Sequence, residues 1–357
     1  MKTRSLIAVL FGVLITLAFW TAKSGLAQQP SAGLGADLGT LAQALAREDI
    51  QAVRAAVKAG CEALGDKAGE PEVADTFVPV PTGEGTPDPI PLWRDKPPRF
   101  FDHAPPETVE EHARIRSVSV PTISAYLPPR DKSTGMGIIV CAGGGYVKLD
   151  WKTHVVYAAR VFNPLGVAVI GLKYRTRPPN AASNAGIQEI ALLDAKRAVR
   201  TVRQRAAEWN LDPHRIGVAG YSAGANLAMN LAANFDAGDS RADDPVEQQS
   251  SRPDFVVGVA TWHWHQKESP FRFRQDTPPV FLVHASNDVG APIDLPRAIR
   301  AQLEPLGVPV HLEVFDEGAH GVGNLIPQRV KHGFPGAKWP ELLLKWLASI
   351  PAENGSQ

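Results

Sequence analysis

Three features of the 357-residue sequence predict an α/β fold, with a mostly parallel central sheet covered by helices on both faces. Short apolar, β-branched runs alternate with amphipathic stretches of helical period from residue 118 to residue 350. The run Arg215-Ile216-Gly217-Val218-Ala219 leads straight into Gly220-Tyr221-Ser222-Ala223-Gly224 and then into a helical pattern over residues 225–233. The side chains best suited to chemistry fall just after predicted strands, where open parallel sheets place their ligand crevice.

Residues 1–27 begin with Lys2 and Arg4, run through an almost wholly apolar stretch from Leu6 to Trp20 and end on Gly25-Leu26-Ala27. A basic start, an apolar centre and a small-x-small end predict a signal peptide, and hence a periplasmic or secreted protein. The apolar stretch also just reaches the length of an uncleaved anchor. Residues 28–76 read as an N-terminal helical extension and linker, because Leu38, Leu41, Leu45, Ile50, Val53 and Val57 recur at one-sided helical spacing before a Pro- and Gly-rich stretch. Residues 77–357 read as the α/β domain itself.

Within that domain, strands are predicted at residues 118–126, 136–141, 167–173, 215–219, 255–261, 280–284 and 310–315. Helices are predicted at residues 153–165, 187–209, 225–233, 293–306 and 339–350. In the longest, Ile190, Leu193, Ala198 and Val202 share an apolar face, and Asp194, Arg197 and Arg200 are expected as solvated ion pairs on the other. The composition, 44% hydrophobic and 21% charged, supports one large core. Basic and acidic residues balance at 37 each, and loss of Lys2, Arg4 and Lys23 with the leader leaves the remainder slightly acidic. Nothing in this balance points to a nucleic-acid partner, which calls for a basic surface. Of the two cysteines, Cys61 and Cys141, an exported protein could form a pair, but Cys141 ends a core strand and is expected as a buried free thiol.

A strand, a sharp turn and a helix around Gly-x-Ser-x-Gly make the nucleophile elbow of an α/β hydrolase. Ser222 is then presented at a helix N-terminus, where backbone N–H groups favour developing negative charge. A serine needs a base, and among ten histidines His320 is the best placed. It lies in Asp316-Glu317-Gly318-Ala319-His320-Gly321, after the last predicted strand. The base in turn needs an orienting acid. Asp288, reached from strand 280–284 through Ala285-Ser286-Asn287, fits that role. Asp294 reads as a helix start and Asp316 as a loop carboxylate. Ala142-Gly143-Gly144-Gly145-Tyr146 supplies an oxyanion loop, with the amides of Gly143, Gly144 and Ala223 as the expected donors. The run lacks the Lys-Ser/Thr ending of a phosphate loop. Tyr146, Trp151, Tyr221, Trp262 and His263 are candidate pocket residues. His263 and His265 could pair on a metal, but no third ligand has suitable spacing, so no metal is expected. Tyr174-Arg175 is expected to brace neighbouring loops.

These motifs, together with Ile90-Pro91-Leu92-Trp93, Ser119-Val120-Pro121-Thr122, Leu172-Lys173-Tyr174-Arg175 and Pro278-Pro279-Val280-Phe281-Leu282-Val283-His284, resemble the acetyl-xylan-esterase-like carboxylesterases of the α/β-hydrolase superfamily, relatives of the hormone-sensitive-lipase-like esterases. The resemblance runs from about residue 90 to the C-terminus. It implies hydrolysis of short-chain, chiefly acetyl, esters of carbohydrates such as xylan or of small molecules, without a cofactor and with no membrane partner beyond export. Two departures stand out. Ala142 replaces the His or Pro that relatives often carry before the glycines, and Trp262-His263-Trp264-His265 replaces a frequent Tyr-Pro step. Two rival readings are a prolyl-oligopeptidase-like serine peptidase and a non-catalytic binding protein on the same fold. The first usually carries a propeller or longer cap that this chain lacks, and the intact Ser, Asp and His argue against the second.

Overall fold

Valine, isoleucine and alanine crowd the predicted central strands, and these segments form the middle of the molecule. The structure, a computed structural model, describes residues 87–350 except 102–103, 182–185 and 264–269. The expected signal peptide, the helical extension with Cys61, the boundary at residue 77 and His265 lie outside the described residues.

The strands are β1 (Ile90–Pro91), β2 (Thr108–Glu110), β3 (Arg114–Arg116), β4 (Thr122–Tyr126), β5 (Gly137–Cys141), β6 (Lys148–Asp150), β7 (Ala168–Lys173), β8 (Ile216–Tyr221), β9 (Phe255–Val259), β10 (Val280–Ala285) and β11 (Val310–Phe315). The helices are α1 (Tyr157–Phe162), α2 (Ile187–Gln204), α3 (Ala223–Asn234), α4 (Asp294–Leu303), α5 (Pro327–Lys331) and α6 (Trp339–Ser349). The main sheet has the order β1-β4-β7-β5-β8-β9-β10-β11, parallel from β7 to β11, with β1 and β4 antiparallel at one edge. A small antiparallel sheet, β2-β3-β6, lies apart from it. Every residue of β5, β7, β8, β9 and β10 is buried. Successive strand residues point to opposite faces, so both faces of the sheet are covered. The α/β architecture read from the sequence is the one observed.

Strand order is what positions the site. β7 pairs with one side of β5 and β8 with the other, so the chain reverses its direction across the sheet at β5. Such a reversal opens a crevice beyond the carboxyl ends of the two strands. Cys141 pairs with Gly220, so the glycine run and the elbow emerge side by side. Cys141 itself is a buried free thiol whose pKa burial pushes up to about 12.

Several elements differ from their sequence expectation. Residues 118–121 do not join the sheet: the Val118 N–H donates to Thr176 Oγ1 at 3.1 Å and its carbonyl accepts from the Thr176 N–H, so its backbone is satisfied elsewhere. The helix expected at 153–165 opens with a wide turn at Lys152–Val156, in which the Tyr157 N–H reaches back to the Lys152 carbonyl. Asp194 is not solvated. It is fully buried and held by Arg175, whose Nη2 lies 2.6 Å from Oδ1 and whose backbone N–H donates to Oδ2 at 2.8 Å. Burial without water demands such a partner for a carboxylate. Arg197 and Arg200 instead pair with Asp236, Asp244 and Glu247 of the polar segment after α3.

Candidate active site

Ser222 closes β8 with φ 54° and ψ −116°, a left-handed geometry that a serine adopts only under constraint. The two flanking glycines make this possible. A Cβ on Gly220 would stand 2.0 Å from the Gly224 carbonyl oxygen, and one on Gly224 would stand 2.1 Å from the Cys141 carbonyl oxygen. The turn is held from below, since the Ser222 N–H donates to the Val259 carbonyl at 2.9 Å.

Two other loops converge on the hydroxyl. His320 Nε2 lies 2.8 Å from Ser222 Oγ, and His320 Nδ1 lies 2.8 Å from Asp288 Oδ2. The second oxygen of Asp288 accepts the N–H groups of Gly290 and Ala291, both at 2.9 Å. Burial of Asp288 opposes its charge, yet the hydrogen bond from His320, the Ala291 amide, the His320 charge and the Gly290 amide together hold its carboxyl below the usual range. The Asp288 side chain is fully buried while that of His320 is 42% exposed, so the acid is fixed and the base faces the crevice. His284, at the end of β10, approaches the Ala291 carbonyl to 2.6 Å and steadies the acid loop from beneath. The Ala319 N–H donates to Asn287 Oδ1 at 2.9 Å and joins the two loops.

A cavity of about 360 Å³ opens beside Ser222 and His320, walled by Gly144, Asp150, His154, Tyr221 and Asn324. The expected oxyanion donors need one correction. The Gly143 N–H is not free, because it donates to His154 Nδ1 at 3.1 Å. That leaves the amide of Gly144, which lines the cavity, and that of Ala223, the first residue of α3, whose N–H no helical carbonyl can reach.

The aromatic candidates divide. Tyr221 lines the cavity, stacked on His154, with its hydroxyl buried and without a hydrogen-bond partner. Tyr146 and Trp151 are core residues rather than pocket lining, 1% and 3% exposed. The Tyr146 hydroxyl donates to Asn226 Oδ1 at 2.8 Å, and Trp151 Nε1 donates to the Tyr126 hydroxyl at 3.3 Å. Trp262 packs half-buried on the core and His263 is buried beside Phe271; neither reaches the cavity wall. Tyr174 and Arg175 brace loops as expected, the former through its hydroxyl on the Ala142 carbonyl at 2.7 Å.

His154 and Asn324 escaped the sequence reading. Burial pushes the His154 pKa down to about 4; the Asp150 charge and a hydrogen bond with Asn324 oppose this, and the His320 charge adds to it. Its imidazole is therefore neutral near pH 7. Chemically, the assembled groups can move a proton from the Ser222 hydroxyl to a buttressed imidazole and meet a nearby oxyanion with backbone N–H donors.

Comparison with known proteins agrees with this architecture. The BD-FAE family model matches residues 123–261, which include the glycine run and the elbow. Endo-1,4-beta-xylanase B of Butyrivibrio fibrisolvens is 25% identical over 227 residues, 57% of this chain and 35% of that protein. An acetylxylan esterase of Xylanibacter ruminicola is 34% identical over 108 residues, 30% of this chain and 20% of that protein. The chain thus spans about a third or less of the curated relatives it matches. Among solved structures, an acetyl ester-xyloside bifunctional hydrolase from Caldicellulosiruptor lactoaceticus superposes with a TM-score of 0.59 at 29% identity, covering 75% of this chain and 98% of that one. The resemblance drawn from the sequence motifs holds.

Proposed function

We propose that this chain, a member of the α/β-hydrolase superfamily with acetylxylan-esterase-like relatives, is an exported serine carboxylesterase for short-chain, chiefly acetyl, esters of carbohydrates or small molecules. The observation that carries this reading is the continuous relay from Asp288 through His320 to Ser222, with both links at 2.8 Å, on an elbow that also offers the Ala223 amide.

Ser222 attacks the ester carbonyl as His320 Nε2 takes its proton. Asp288 holds His320 in the tautomer with the proton on Nδ1 and stabilises the imidazolium that forms. The N–H groups of Gly144 and Ala223 receive the tetrahedral oxyanion. His320 then protonates the departing alcohol, and water, activated by the same imidazole, releases the acid from Ser222. A cavity of about 360 Å³ suits a small acyl group, and a wall bearing a carboxylate, an imidazole and an amide suits an alcohol rich in hydroxyls. The names of the relatives support xylan as one such alcohol.

The test is turnover of p-nitrophenyl acetate, butyrate and octanoate and of acetylated xylo-oligosaccharides. Acetate should exceed octanoate at least about tenfold in kcat/KM. Ser222→Ala should lose nearly all turnover, and Asp288→Asn about 10⁴-fold in kcat, with the fold intact. Full turnover in Ser222→Ala would refute the assignment.

A further inference from the structure

We propose that His154 is a positioning residue that pins the oxyanion loop, so that the Gly144 N–H faces the carbonyl oxygen of the ester attacked by Ser222; this rests on the esterase reading above. In a trans peptide the C=O and the following N–H point in opposite directions. In the plane joining Ala142 to Gly143, the Ala142 carbonyl accepts from the Tyr174 hydroxyl at 2.7 Å and the Gly143 N–H donates to His154 Nδ1 at 3.1 Å. Buried side chains thus clamp this plane at both ends. In the next plane, the Gly143 carbonyl accepts from the Asp150 N–H at 2.9 Å. The Gly144 N–H, trans to that carbonyl, is turned away from Asp150 by the same bond. Gly144 is held in turn by the Val147 and Lys148 N–H groups on its carbonyl, at 3.1 and 3.2 Å.

Glycines resist fixing, because they lose more conformational freedom on ordering than any other residue. Gly144 has φ 141°, and a Cβ there would stand 2.1 Å from the Lys148 carbonyl oxygen, so no side chain on the run itself could stiffen it at that point. Ala142 offers no polar side chain either. The stiffening comes instead from outside the run, from an imidazole that is 7% exposed and stacked on Tyr221 with ring centroids 4.5 Å apart and an interplanar angle of 18°. Because Nδ1 accepts from Gly143, the ring proton of the neutral imidazole sits on Nε2. The ring shares the cavity wall with Asn324. Asn324 lies four residues after His320, and its N–H donates to the Gly321 carbonyl at 3.1 Å. His154 therefore stands between the loop that would meet the oxyanion and the loop that carries the base.

His154→Phe keeps the ring and its stack on Tyr221 but removes the acceptor. His154→Asn places an amide oxygen near the Nδ1 position and restores it. For p-nitrophenyl acetate, His154→Phe should lower kcat about 10- to 100-fold with KM changed less than about threefold, because the Gly144 N–H that it positions meets an oxyanion only in the transition state. His154→Asn should recover most of that loss. Tyr174→Phe, which frees the other end of the same plane, should show the same kcat-selective loss, and it decides the matter if His154→Phe fails to fold. Hydrogen–deuterium exchange across residues 142–150 should quicken in His154→Phe and not in His154→Asn, whether or not the wild type hydrolyses esters. Wild-type kcat in both His154→Phe and Tyr174→Phe, or unchanged exchange in folded His154→Phe, overturns the clamp. An inactive wild type counts against the esterase reading alone.

Discussion

An imidazole kept neutral by burial has a consequence for acid stability. The His154 pKa falls from 6.5 to about 4 on folding, mainly because the cation loses its water. Between those values the unfolded chain binds a proton that the folded chain does not, so stability drops as pH falls from about 6.5 to about 4. A shift of this size amounts to a loss on the order of 3 kcal/mol. Asp150 and Asn324 oppose the shift and His320 adds to it, and buried His284, also lowered by desolvation, contributes with the same sign. The part owed to His154 is isolated by comparing wild type with His154→Phe in urea unfolding at pH 7 and pH 4.5. The wild type should lose more stability than the variant, and equal losses would contradict the account. At this scale the sequence showed Ser222, Asp288 and His320 plainly, because each follows a recognisable strand by a short, small-residue loop. It did not show His154. That residue sits in a stretch of ordinary helical pattern, and only the wide turn at Lys152–Val156 and the packing of Tyr221 bring its Nδ1 to Gly143. Tyr146 and Trp151 misled for the converse reason: aromatics beside a glycine loop look like pocket walls until tertiary packing buries them.

Among the elements, the β8–turn–α3 unit was the most legible, since its glycines are dictated by backbone approach. Gly220→Ala tests that claim. Its Cβ would press on the Gly224 carbonyl oxygen, a backbone atom that no side-chain rotation can relieve. The variant should be destabilised by about 2 kcal/mol or more in thermal or urea unfolding, with ester turnover lost in the residual folded fraction. Wild-type stability together with wild-type turnover would mean the turn is not the tight elbow described. The strands β1, β2, β3 and β6 were not legible. Each has two or three residues, too few for an alternation to register, and β2 and β3 join a separate antiparallel sheet whose third strand, β6, pairs with β3 from more than thirty residues away. The polar face of α2 was misread in part. Asp194 and its neighbouring arginines have the spacing of surface ion pairs, and only the return of Arg175 from β7 turns Asp194 inward.

For the molecule as a whole, the alternation of strand and helix was enough to read a parallel sheet with its crevice at the strand carboxyl ends. The order of the strands was not, because it depends on which side of β5 each crossover passes. That order brings Ser222 and His320, 98 residues apart in the chain, into hydrogen-bond contact, with Asp288 behind them. The central claim is that this contact activates the hydroxyl of Ser222. It is tested most directly by treating the folded protein with diisopropyl fluorophosphate and mapping the adduct by mass spectrometry. The account predicts one adduct per chain, on Ser222, forming at least about 10³-fold more slowly in His320→Ala. An unlabelled Ser222 in folded wild-type protein, or equal labelling rates with and without His320, would contradict it.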